Sequence, residues 1–388
     1  MTAASTAPAP LTPMPSIVVI SDRVDWHPDD GIADPPAPWQ AVTDAPFAVT
    51  GGYLERLPLA CIAAGIVERA EIWHHRAGQG RSSYTPAGPR LGYRGFPIAD
   101  PVSPFDNRAM LEFVATHGAP HILVVYGLGV APALLAACAN SIILYNSIDA
   151  PALRVPPEVS AHFDLVLTGA PWQSDEVETR HPGMATAIMP VGPEFAAIDQ
   201  FRPLDDPRDY DLIYVAAAQG YKQHDLLLDA LETLPRDVRG LFVFGYGEEA
   251  DRLRARIADA GLSVDCIGPP GVEFDAVNRL MNRARFGMVC GRDDGAPAIL
   301  TEYMLAGLPV LCNAELVCGR QFILPETGRF FDPADLAAAI MAMRAETGRC
   351  FPRETSLARW TWPHTIARLR PLLAQAAQKK SCDLICIS

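Results

Sequence analysis

From residue 16 onward, short β-branched apolar runs alternate with longer amphipathic stretches. The runs at 16–21, 70–75, 121–126, 141–146, 164–169 and 186–191 have the length of strands, and the segments near 53–65, 106–117, 130–139 and 172–180 that of helices. Such alternation predicts parallel βαβ units with helices on both faces of a sheet. Residues 192–210 then carry three prolines and many charges without periodicity, as a linker does. A second series follows, with strand-like runs at 211–217, 241–245, 263–268, 285–290 and 308–312 and helical stretches near 223–234, 248–260, 273–283, 298–306 and 333–345. The expected organisation is a disordered leader over 1–15, a domain over 16–195, a linker over 196–210, a second domain over 211–355, and closing helices and tail over 356–388. The fold class is α/β: two doubly wound Rossmann-like domains facing across a cleft, with a C-terminal closing helix. Sheets of this kind bind ligands outside the C-terminal ends of their strands.

The length of 388 residues suits two domains, and a chain 49% hydrophobic and 20% charged has ample material for their cores. The net charge of −13 is uneven, since residues 1–206 hold 11 basic against 22 acidic side chains, a net of −11. That balance repels nucleic-acid phosphates and anionic lipid headgroups, so a nucleic-acid partner is excluded. The uncharged stretch 122–139 just reaches membrane-spanning length. Gly127, Gly129 and Pro132 break it where a β-rich half meets an Ala/Leu half, so it reads as strand, turn and buried helix, with no integral membrane segment. The nine cysteines are odd in number and form no Cys-x-x-Cys pair, which fits a reducing compartment. With no signal-peptide pattern in the first residues, the expectation is a cytoplasmic protein. Arginines number 29 and lysines three, and Lys379 and Lys380 fall in the polar tail, leaving Lys222 as the one lysine of the folded body.

A Walker-type phosphate loop, a Gly-x-Ser-x-Gly elbow and a His-Glu-x-x-His helix are all absent from the sequence. Asp209 and Asp211 have the spacing of a metal-binding pair but follow a proline-rich stretch rather than closing a strand, so no metal is expected. Gly245-Tyr246-Gly247-Glu248-Glu249-Ala250, with Asp265 downstream, satisfies the dinucleotide fingerprint formally. Glu248 and Glu249, however, would sit where a pyrophosphate rests on helix N–H groups, and they favour that position as first-turn acids instead. The sharpest constellation is at 290–310, where Asp294 and Glu302 stand eight positions apart around the turn Gly295-Ala296-Pro297-Ala298. One acid then precedes a helix and the other lies in its second turn. Glu302 can accept from vicinal hydroxyls, and amides at the helix start can hold phosphate oxygens.

This segment resembles the signature of the retaining nucleotide-sugar glycosyltransferases of family 4, which have the GT-B fold. There two acids eight apart precede an apolar ending matched here by Met304 and Ala306-Gly307-Leu308-Pro309-Val310. The resemblance covers most of the C-terminal half. It implies that Lys222 holds the donor diphosphate, that the run 263–272 with Gly268 contacts the base, and that Arg329-Phe330-Phe331-Asp332-Pro333 precedes the last core helix. In the N-terminal half, Thr50-Gly51-Gly52 resembles the glycine loop opening the first helix. Three positions depart from the pattern. Ala217 stands where the family has arginine, Asp294 where it has glutamate, and Ile148-Asp149 where it has His-Asp.

The resemblance implies a retaining, metal-independent transferase with no cofactor, moving a sugar from a nucleoside diphosphate to an acceptor. Lys222, Asp294 and Asp149 would be its catalytic residues; Glu302, Gly51, Gly52, Gly295, Ala296 and Gly268 would bind the donor, with Arg292 or Arg320 supplying the positive charge that Ala217 lacks. The acidic N-terminal half favours a soluble acceptor that is neutral or cationic. A GT-B protein that binds nucleotide-sugars or glycans without transfer is the alternative, followed by a nucleotide-sugar epimerase.

Overall fold

A computed structural model describes residues 14–24, 48–77, 80–88, 90–346 and 350–387. The expected leader lies outside these residues except at 14 and 15. The chain divides into two compact units, one comprising Met1–Ser147, Ala152–Met189 and Trp362–Ser388, the other Ile148–Pro151 and Pro190–Thr361.

The first unit is built on eight strands: β1 (Met14–Ile20), β2 (Val67–Arg76), β3 (Ser83–Gly88), β4 (Leu91–Pro97), β5 (Ile122–Tyr126), β6 (Ile142–Asn146), β7 (Leu165–Thr168) and β8 (Ala185–Ile188). They lie in the order β3-β4-β2-β1-β5-β6-β7-β8, all parallel except the β3–β4 hairpin. The sequence pattern did not announce this hairpin, because β3 and β4 carry two prolines, glycines and a charge instead of an apolar run. Tertiary partners hold it. Gly92 lies under the Tyr84 ring, where a Cβ would meet the hydroxyl oxygen at 2.3 Å. Arg94, fully buried, pairs with Glu71 on β2. The 122–139 stretch is strand β5, a glycine turn and the helix Pro132–Ala137.

The tail helix Trp362–Ile387 groups with this unit. Arg370 donates to the Ala64 carbonyl at 2.7 Å, and Lys380 donates to the Ala139 carbonyl at 2.8 Å and lies 3.0 Å from Asp164. Lys222 is therefore not the sole lysine of the folded body. The tail's polar composition hid the fact that a long lysine stem can lie along a surface and still reach partners.

The second unit holds β9 (Tyr210–Val215), β10 (Gly240–Val243), β11 (Val264–Ile267), β12 (Ala284–Val289), β13 (Val310–Asn313) and β14 (Gly328–Phe331), all parallel, in the order β11-β10-β9-β12-β13-β14. One core cluster includes Leu227, Leu231, Leu253 and Ile340; the other includes Met281, Leu300, Tyr303 and Met304. The two clusters mark the two covered faces of the sheet. Ala196 and Phe201, in the stretch read from sequence as a linker, are completely buried in the second cluster. Its charged and proline residues conceal two apolar anchors.

No helix among the described residues is long and apolar enough to cross a membrane.

Candidate active site

The order β11-β10-β9-β12-β13-β14 reverses at β9, with β10 and β11 added on one side and β12 to β14 on the other. The helix following β9, His224–Thr233, packs in one core cluster, and the helix following β12, Ile299–Leu305, packs in the other. The two loops that leave these neighbouring strands thus part to opposite faces, which opens a crevice at their C-terminal ends.

The loop after β9 tightens into a 3-10 turn, Gly220–Lys222, and turns into its helix through Gln223, whose φ of 52° is left-handed. The Tyr214 hydroxyl donates to the Lys222 carbonyl at 2.5 Å, which ties the turn to the strand below it. The loop after β12 approaches closely. A Cβ on Gly291 would lie 3.2 Å from the Tyr221 carbonyl oxygen and 3.4 Å from Lys222 Cα, so glycine lets the two loops meet. Across that approach Lys222 Nζ donates to Asp294 Oδ2, with both side chains largely buried at 16% and 14% exposure. Burial works against the charge on Lys222, but Asp294 beside it outweighs this and raises its pKa, so the ammonium persists. The ammonium also lies 4.7 Å from the centre of the Tyr221 ring. The Ala296 amide donates to Asp294 Oδ1 at 3.4 Å, which holds the carboxylate from its other side.

Asp149 reaches this loop by a different route. The segment Ile148–Pro151 belongs to the second unit, and a Cβ on Gly295 would sit 2.0 Å from the Asp149 carbonyl oxygen. Gly295 is thus a place of backbone-to-backbone contact. Glu302 is half-buried in the helix Ile299–Leu305 that follows. Gly268, with φ +74°, ends β11 where a Cβ would meet the Phe244 carbonyl oxygen at 2.1 Å. The fold therefore brings together Lys222, Asp294, Gly295, Ala296 and Asp149. Gly268, after β11, and Glu302, in the helix after β12, belong to strands on opposite sides of β9 in the sheet order.

The other expected residues are engaged elsewhere. Arg292 is half-exposed and lies 3.6 Å from Glu315 and 3.8 Å from Asp293. Arg320 donates to the Ala314 carbonyl and lies over the Phe330 ring at 4.6 Å. Gly51 and Gly52 belong to the first unit, before the helix Arg56–Ala63. The Gly52 amide donates to Glu55 Oε2 at 2.8 Å, and Tyr93 donates to Glu55 Oε1 at 3.1 Å. A carboxylate thus occupies an amide of the loop that the resemblance assigns to the donor.

Three residues that sequence reasoning passed over also shape the second unit's crevice. Asn313, on β13, donates to the Cys290 carbonyl at 2.8 Å and to Gln223 Oε1 at 3.4 Å, linking both loops. Tyr303 is fully buried, with its hydroxyl on β9. His224 is buried with neither ring nitrogen hydrogen-bonded among the described residues. Its ring lies 4.7 Å from Tyr214 and 5.4 Å from Phe244. Burial, helped by the nearby Lys222 charge, lowers its pKa to about 4. Position alone marks these three; no motif spacing does.

Residues 197–346 match the family described as glycosyl transferases group 1. No curated protein matches the chain. Among solved structures, a sucrose-phosphate synthase from Thermosynechococcus elongatus is 17% identical with a TM-score of 0.70, over 93% of this chain and 98% of that one. HepE of Anabaena, in complex with UDP and glucose, is 14% identical with a TM-score of 0.64, over 93% and 100%. A lipopolysaccharide outer core galactosyltransferase, WaaB, is 12% identical with a TM-score of 0.59, over 93% and 99%. The fold is that of the GT-B glycosyltransferases, and the family match falls within the second unit.

Proposed function

We propose that the protein moves a sugar from a nucleoside diphosphate to an acceptor hydroxyl with retention of anomeric configuration. The observation that carries this reading is the ion pair of Lys222 and Asp294 across the crevice where the second sheet reverses. When the bond from the anomeric carbon to the diphosphate oxygen breaks, negative charge gathers on the departing phosphate. The Lys222 ammonium, kept charged by Asp294, is positioned to stabilise that charge without a metal ion or cofactor. Asp294 would pass from Lys222 to hydroxyls of the transferred sugar as the diphosphate takes its place. Glu302 would accept from the ribose hydroxyls, Gly268 and Ala296 would border the nucleotide, and Asp149 would face the sugar. Arg292, half-exposed, is free enough to swing toward the phosphates, whereas Arg320 would first have to leave the Ala314 carbonyl. The acceptor, opposite an N-terminal half of net charge −11, would be soluble and neutral or cationic, and the work would be done in the cytoplasm.

Lys222→Ala should lower turnover about 10²–10³-fold, the usual effect of removing one group that stabilises transition-state charge. The chain should stay folded by circular dichroism. Near wild-type transfer in this variant would sink the assignment. A nucleoside diphosphate at 100 times its dissociation constant should stabilise the wild type by about 2.7 kcal/mol. UDP, GDP, ADP and TDP, compared in one thermal-shift series, would name the base.

Ala217, buried at 7% exposure, and Ile148 favour a second reading, binding without transfer, because both stand where the resembling family carries a cationic or titratable side chain. Binding with no transfer and no donor hydrolysis would select it.

A further inference from the structure

We propose that Tyr303 is a positioning residue whose hydroxyl replaces a missing rung between β9 and β12 and so sets the Lys222 loop against the helix bearing Glu302. The proposal rests on the donor reading above for its consequence, though not for its geometry. The last register pair between the two strands is Gly287 with Ile213. Beyond it β12 continues beside β13, pairing Met288 with Leu311 and Val289 with Cys312, while β9 continues beside β10, pairing Val215 with Val243. Residues two apart on a strand direct their N–H and C=O groups to the same neighbour. Val215 therefore points its N–H at the side β12 has just left. A buried N–H without a partner there would be costly.

The Tyr303 hydroxyl fills that gap. It accepts from the Val215 amide at 2.8 Å and donates to the Ile213 carbonyl at 3.2 Å. The side chain is completely buried. Its ring crosses β12 at Gly287, where a Cβ would lie 2.4 Å from ring carbons, so that glycine admits it. Tyr303 is adjacent to Glu302 in the helix Ile299–Leu305, and Val215 is the last residue of β9, seven before Lys222. One hydroxyl thus fixes the two loops at the point where they separate.

The test uses the full chain, wild type and Tyr303→Phe, which keeps the ring and removes the oxygen. Affinity for UDP, GDP, ADP and TDP is measured by titration, alone and in a double-mutant cycle with Lys222→Met. Loss of the hydroxyl and its two buried hydrogen bonds should weaken the preferred diphosphate about five- to tenfold in the wild-type background. If Tyr303 acts through the Lys222 loop, the same change should cost less than about twofold once Lys222 is gone. An equal loss in both backgrounds, or none in either, overturns the proposal. Hydrogen exchange supplies a readout independent of any ligand. The Val215 amide of the wild type should be as protected as Phe242 inside the sheet, and Tyr303→Phe should speed exchange over 215–222. A wild-type Val215 amide that exchanges like an exposed loop overturns the proposal without reference to any variant. If no diphosphate binds the wild type, the donor reading falls, while accelerated exchange in Tyr303→Phe upholds the stitch and unchanged exchange ends it.

Discussion

Two ion pairs, one in each unit, show how differently a buried charge can be used. In the first unit Arg94 is fully buried, and its Nε and Nη2 each reach a different oxygen of Glu71 at 2.8 Å. Trp73 donates to the same carboxylate at 2.9 Å, and the guanidinium lies over the Tyr84 and Phe113 rings at 4.9 and 4.6 Å. That pair sits mid-strand between β2 and β4, with both forked ends matched. In the second unit Lys222 meets Asp294 through a single contact between two loops at strand ends, with part of each side chain open to solvent. Arginine's planar fork locks a geometry, whereas lysine's point charge tolerates a change of partner. The first pair holds structure together, and on the proposed function the second is the one a diphosphate would exchange.

The comparison breaks first at Arg94. Removing one member of a buried pair strands the other, so Arg94→Met should cost the first unit about 3–5 kcal/mol in urea unfolding, with the β3–β4 hairpin the first to open. A loss under about 1 kcal/mol would mean the pair is not what holds β4 in place.

Asp294→Asn attacks the second pair from the acid side. Lys222 would then be charged without its partner, costing roughly 1–3 kcal/mol in the free protein. Because that ammonium would be waiting for an anion, the thermal shift produced by a nucleoside diphosphate should be larger than in the wild type, even as turnover falls. A smaller shift would show that Asp294 holds the nucleotide rather than holding its place.

His224 gives the pair a pH signature. Its pKa is lowered to about 4 by burial, with Lys222 and Arg252 opposing the proton and Asp225 favouring it. The unfolded chain therefore binds a proton that the folded chain refuses. Stability contributed by neutral His224 is whole above the ordinary histidine pKa and is lost as pH falls from about 6.5 toward 4, by roughly 2–3 kcal/mol. In the first unit His74 behaves alike, lowered to about 3 by burial and the nearby Arg23 and His75. His224→Phe should flatten the acid limb of the second unit alone. An unchanged limb would show that the buried ring is not the titrating group.

The smallest effect belongs to Arg292→Ala. The side chain is half-exposed and its acidic neighbours lie at 3.6 and 3.8 Å, so stability should move by less than about 0.5 kcal/mol. A marked loss of diphosphate affinity with unchanged stability would give Arg292 the charge-compensating part that Ala217 lacks.

Much of the fold was legible in the chain, and for a physical reason. Strands buried on both faces need continuous apolar runs, so β1, β5, β6, β9 and β12 announce themselves. Amphipathic helices such as His224–Thr233 must show one polar face. β3, β4 and β14 were not announced. The first two are held by Arg94–Glu71 and by Tyr84 over Gly92, which are cross-strand contacts that no local window contains. The Asp294–Glu302 spacing and the isolated Lys222 were visible as residue types at fixed intervals. That Lys222 touches Asp294, 72 positions away, was not.

By itself the sequence determined the class of the fold, the series of parallel units and the residue kinds available for phosphate and hydroxyl recognition, because these follow from local periodicity and composition. The tertiary structure alone decided which charges meet, that Glu55 covers the Gly52 amide, and that the Tyr303 hydroxyl bonds the end of β9. Partners in a hydrogen bond or ion pair are chosen by where strands part and loops converge. That depends on the packing of the whole unit and leaves no trace in spacing along the chain.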